Sequence, residues 1–225
     1  MFDYVDFLYV NEITISHFLS SFDIDDITTE TGKSLSSRLE HQIFYNDDDK
    51  PTQKVLIKKF PYENKDFQGI INFLRKETNG NIENKMTISS SSIYSQSYEA
   101  KNIIVFEDIK KSFFSQNEKK SWICFHFNEN SVTLSNYTLR SYFNTPNDHP
   151  KTWVIQGSND GQNWEDIDKQ EDCPYLNGAS LIHTFKIKKE NRKEFSYIKL
   201  LQTDSNWYGH DFLLIDSIEF YGELK

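Results

Sequence analysis

Two cysteines in 225 residues, Cys124 and Cys173, allow one disulfide at most and cannot supply the framework of a small stapled fold. Glycine is scarce, with 8 residues spread through the chain, and no glycine-rich loop is present to cradle a phosphate. No window holds the roughly 18 uninterrupted apolar residues of a membrane-spanning helix. The start, Met1-Phe2-Asp3-Tyr4-Val5-Asp6, carries acids where a signal peptide carries a basic stretch and then an apolar run. Basic charge is in deficit: 25 Lys and Arg stand against 34 Asp and Glu, a net charge of −9. Such a field repels phosphate backbones and anionic headgroups, so neither nucleic acid nor membrane insertion is expected. A cytoplasmic protein with both thiols reduced is the expectation.

What the chain has is aromatic rings: 15% of residues, with 18 Phe and 12 Tyr. Bulky rigid side chains favour pleated, half-buried surfaces, which leans the fold towards all-β. Residues 1–50 read differently, because Phe7, Leu8, Val10, Ile13, Ile15, Phe18, Leu19 and Phe22 recur at three- and four-residue steps. Helices follow there, the second signalled by Thr28-Thr29-Glu30-Thr31 ahead of Leu35 and Leu39. The acidic stretch Asp47-Asp48-Asp49-Lys50-Pro51 ends that segment. Residues 51–84 read as a linker with one short helix around Gly69–Leu74, closed by Asn79-Gly80. From 85 to 225 the period becomes that of strands, over 122–127, 137–142, 153–157, 184–187, 197–201 and 215–220, with polar turns between. Many short strands of this kind build a sandwich or jelly roll.

In Gly157-Ser158-Asn159-Asp160-Gly161-Gln162-Asn163-Trp164 the Asp-Gly pair supplies the positive φ of a tight hairpin turn, and the returning Trp164 is expected in the core. This segment resembles the signature of the discoidin family, also called coagulation factor type C or galactose-binding-like. Thr87–Ser92 and Tyr98–Asn102 are similar to that family's first strand and following loop. Trp122 with Phe125-His126-Phe127, and Tyr197–Leu200 with Ile218–Gly222, are similar to its later strands. The spacing Asn147–Trp153 resembles the discoidin domains of intracellular proteins that begin with BTB and BACK domains, which makes residues 1–50 similar to the end of a BACK-like region. The resemblance implies a discoidin-like jelly-roll β-sandwich behind a short N-terminal helical segment, with ligands contacting loops at one end. Glu107 and Asp108 stand where carbohydrate-binding members ligate calcium, but the glycine of that turn is missing and Lys110 and Lys111 are adjacent.

Enzymatic patterns are poor. Ser90–Ser92 lack a nucleophile elbow, and the six histidines form no His-x-x-x-His pair; His126 and His183 are read as outward-facing strand positions. Neither catalysis, a metal nor a cofactor is expected. Binding chemistry falls on three loops, 93–98, 142–149 and 205–211, which combine aromatic faces with amide and imidazole groups. Tyr94, Phe143, Asn144, His149, Tyr208 and His210 are the candidate contact residues, whereas Tyr98 and Trp207 are expected to pack. Arg140 is expected to be buried beside a carboxylate. The expected role is a non-catalytic binding module for a protein partner, with carbohydrate recognition of the lectin kind as the alternative.

Overall fold

The computed structural model describes residues 56–144 and 148–225, all within one compact unit, Val55–Lys225. The helices expected over residues 1–50 lie outside the described residues.

Wherever a run can bury one face, the alternating pattern has become a strand. One sheet runs in the order β1 (Lys58–Phe60), β11 (Leu214–Leu224), β5 (Val132–Ser141) and β8 (Ile182–Lys186), with β3 (Phe113–Phe114) added on β11 and β9 (Glu194–Phe195) on β5. The other sheet runs β2 (Thr87–Ser90), β4 (Trp122–His126), β10 (Tyr197–Gln202), β6 (Trp153–Ser158) and β7 (Glu165–Gln170). All these pairings are antiparallel. The result is the jelly-roll β-sandwich that the discoidin resemblance implied.

The core lies between the sheets. Ile123 and Phe125 of β4, Trp153 and Ile155 of β6, and Ile198 and Leu200 of β10 face Tyr137, Leu139, Ile218 and Phe220 of the first sheet. Phe125 meets Phe220 edge-on at 5.0 Å across the gap. One buried polar chain links the two sheets: the Trp153 Nε1–H donates to the Tyr137 hydroxyl at 3.1 Å, which donates to Asp168 at 2.7 Å. Gly157 has no room for a side chain, because a Cβ there would run into the Phe195 ring.

The segment expected as a linker is part of the sandwich. Lys58–Phe60 pairs with Gly222–Leu224, so β1 closes the first sheet beside its last strand. Helix α1 (Ile70–Glu77) then covers β11, burying Ile70, Ile71 and Leu74. Glu219 of β11 is fully buried and accepts the backbone N–H groups of Gly69, Ile71 and Asn72 at 2.8–3.1 Å. These are the donors that a helix start leaves without partners, so a carboxylate from a distant strand caps α1. At the other end Asn79 (φ 49°) and Gly80 (φ 87°) close the helix, with the Gly80 N–H on the Arg75 carbonyl.

Two readings of the hairpin change. The turn between β6 and β7 is six residues long, not two, and Asp160 organises it by accepting the N–H groups of Gln162 and Asn163 at 2.8 and 2.7 Å. These donors, with the Asn163 side chain, hold the Asp160 carboxyl well below the usual range. The longer loop delivers Trp164 to the outer side of the second sheet. There Trp164 is half-buried rather than part of the core, with the Lys199 ammonium over its ring.

Candidate functional site

Three loops expected to carry recognition converge at one end of the sandwich. Tyr94, in the loop after β2, is pinned by its N–H on the Phe114 carbonyl at 2.7 Å, and its ring stacks on Phe114 at 4.7 Å. Phe114 meets Phe212 at 4.8 Å, Phe212 meets His210 at 5.5 Å, and His210 meets Tyr208 at 4.9 Å. Tyr98 closes edge-on against Phe114 at 5.6 Å. A continuous chain of rings therefore runs from one loop to another. Its two ends protrude: Tyr94 is 58% and Tyr208 59% exposed.

Hydrogen bonds fix the loop that bears Tyr208 and His210. Asn206 is buried, and its Oδ1 accepts the N–H groups of Tyr208 and His210 at 3.0 Å each while its Nδ2 reaches the Phe212 carbonyl at 3.3 Å. Gly209, at φ 86°, makes the turn that brings the chain back. The His210 Nδ1 lies 3.1 Å from Asp148 Oδ1, and the Trp207 N–H donates to the His149 carbonyl at 3.1 Å, which ties this loop to the one before β6. Asn117 joins from the loop before β4, its Oδ1 accepting the Asp211 N–H at 2.8 Å.

Of the expected contact residues, Tyr94, Tyr208 and His210 come together in this array. Asn144 is exposed nearby, beside the Tyr142 hydroxyl, which burial and the neighbouring Tyr98 push up to about 12. Phe143 is half-buried, and its ring packs on Tyr142 at 4.9 Å. His149 is a correction: it is fully buried beneath the Trp207 loop, and a side chain so enclosed is not offered to a partner. His183 is corrected as well, because it shares the inner side of β8 with Phe185, at 4.6 Å, rather than facing out. The packing expected of Trp207 takes the form of an Nε1–H bond to the Cys173 carbonyl at 3.2 Å.

Phe114 and Phe212, the two rings that join the array, escaped the sequence reading. A signal existed, since Tyr208, His210 and Phe212 recur at steps of two within one short loop. Asp148 and Asn206, which lock the loops, read as ordinary turn residues.

Beneath the array lies a buried polar group of residues. Asp216 accepts the Ser112 hydroxyl at 2.6 Å, and Arg140 donates to the Ser217 hydroxyl at 2.6 Å with its guanidinium 5.1 Å from the Phe67 ring centre. Arg140 is buried as expected, but its carboxylate neighbour acts through the field and not through direct contact. Burial pushes the Asp216 carboxyl up to about 7 and the Arg140 guanidinium down. Glu107, the residue weighed for calcium, forms a two-pronged pair with Arg75 at 3.0 and 3.2 Å. Among the described residues no group of three or more His, Cys, Asp or Glu could hold a metal ion, and no helix is long and apolar enough to cross a membrane.

The two-sheet jelly roll is a galactose-binding-like β-sandwich, and solved structures agree on the fold. The module CpGH89CBM32-5 of Clostridium perfringens, solved with GalNAc-β-1,3-galactose, is 14% identical over 62% of this chain and 96% of that one, with a TM-score of 0.50. A module from a family 31 glycoside hydrolase of the same organism gives 15% identity, 62% and 92% coverage, and a TM-score of 0.51. A fucolectin from striped bass (Morone saxatilis) serum gives 15% identity, 61% and 47% coverage, and 0.50. No curated protein sequence matches the chain. The model of the Sad1/UNC-like C-terminal family matches residues 94–224, more than half of the sequence, and the chain belongs to that family.

Proposed function

We propose that the chain is a non-catalytic binding module that captures a protein partner on the aromatic end of its sandwich, serving recruitment or scaffolding in the cytoplasm. The observation that carries this reading is the run of rings Tyr94–Phe114–Phe212–His210–Tyr208, preassembled across separate loops and exposed at both ends. Rigid aromatic side chains that need no reordering on contact are the anchors that dominate protein interfaces. Two buried free thiols fit a reducing compartment.

A carbohydrate is the second reading, favoured by the exposed Asn144 amide and the His210 imidazole beside stacked rings, and by the disaccharide bound to the Clostridium perfringens module of similar fold. One experiment separates them. The intact chain and its Tyr94→Ser/Tyr208→Ser variant are assayed against a glycan array and in cross-linked capture from cytosol. The protein reading requires a captured protein whose recovery falls at least tenfold in the variant, with a silent array. A sugar bound by the intact chain and lost in the variant would replace it with the lectin reading.

A further inference from the structure

Strand β8 ends its sheet. Its pairs with β5 place His183 opposite Leu139 and Phe185 opposite Tyr137. The flanking bonds, Ser141 N–H to the Leu181 carbonyl and Ile187 N–H to the Ser135 carbonyl, both 2.9 Å, fix the phase of the ladder. Alternation then turns the backbone N–H and C=O groups of Ile182, Thr184 and Lys186 away from β5. Among the described residues no strand lies on that side. Leu181 and Ile182 are 41% and 42% exposed, and Tyr175, stacked on His183 at 4.1 Å, is 57% exposed. Three of the exposed large apolar side chains thus gather on one open edge, an arrangement that natural sheets ordinarily guard against.

We infer that this edge is a self-association surface, on which β8 pairs antiparallel with β8 of a second copy about a two-fold axis at Thr184. In that register Thr184 faces its own counterpart and Ile182 faces Lys186 of the second copy. The free groups are then spaced to form about six backbone hydrogen bonds, because in each such pair both residues exchange N–H and C=O. Charge supports the second copy as occupant. Asp66 Oδ1 lies 3.5 Å from the Thr184 hydroxyl. The pairing makes Lys186 of the second copy a diagonal neighbour of Thr184 with its side chain on the same side of the sheet, in reach of Asp66. The two-fold repeats this contact, so each copy supplies one acid and one base. The two Lys186 residues, four strand positions apart, stay about 13 Å from each other. Both sandwiches would share one continuous sheet, leaving the aromatic ends free.

The test is sedimentation velocity of the full chain across the micromolar range. A reversible dimer is expected. Ile182→Lys puts a charge opposite Lys186 of the second copy and should raise the dimer dissociation constant at least tenfold without altering the circular dichroism spectrum. Thr184→Pro removes an edge N–H that β5 does not use and should do the same. A monomer at every concentration overturns the inference, and so does a dimer that Ile182→Lys leaves equally tight.

Discussion

The ammonium of Lys199 sits 3.3 Å from the centre of the Trp164 ring, on the outer side of the second sheet. Tyr197, next along the same side of β10, stacks on His126 at 4.0 Å. Trp164 therefore contributes by covering a lysine stem and by a cation–ring contact, and not by filling the space between the sheets.

A graded pair of substitutions follows. Trp153 is fully buried and bonded to Tyr137, so Trp153→Ala should cost roughly 3–5 kcal/mol as a large-to-small core change. Trp164→Ala loses a half-exposed contact and should cost about 1–2 kcal/mol. Urea midpoints of the two variants check the order; equal losses would return Trp164 to the core.

Stability should fall as pH rises from about 4 to 7. Burial pushes Asp216 up to about 7, and it pushes Glu219 up to about 7 despite the N–H groups of Gly69, Ile71, Asn72 and Phe220. A carboxyl whose folded-state pKa is raised holds its proton more tightly folded than unfolded. The folded state is then favoured at acidic pH and penalised once both groups must ionise. Glu107 and Glu194, lowered by Arg75 and Lys225, act oppositely and only near or below their ordinary range. Denaturation midpoints should be higher at pH 5.5 than at pH 8, and Asp216→Asn should flatten the slope. A midpoint that climbs across this window contradicts the assignment.

Both thiols should be sluggish. Burial pushes Cys124 up to about 11 and raises Cys173 as well, so little thiolate forms at neutral pH. A disulfide reagent should react with the folded chain far more slowly than with the chain in denaturant. Non-reducing mass spectrometry should show two free thiols; a Cys124–Cys173 bridge would count against the reducing compartment.

The strands were legible from runs such as Tyr197–Gln202, where buried Ile198, Leu200 and Gln202 alternate with half-exposed neighbours, a pattern that a sheet with one buried side satisfies. What local pattern could not carry was long-range pairing. Nothing near Lys58 announces that it lies opposite Leu224. Glu219 stands amid apolar residues without a local hint that it caps a helix some 150 residues earlier in the chain. His149 looked free because its cover comes from the Trp207 loop, and Trp164 looked buried because a tight turn was assumed where Asp160 builds a long one. The loop aromatic residues were visible one by one, yet their order needed Phe114 and Phe212 between them.

The most direct test of the aromatic end as the contact surface is hydrogen exchange on the chain alone and with its captured partner bound. Protection should appear in residues 92–98, 142–149 and 203–212, with the outer side of the second sheet around Trp122 and Lys199 unchanged. Protection confined to that outer side, with the three loops exchanging as in the free chain, would contradict the account.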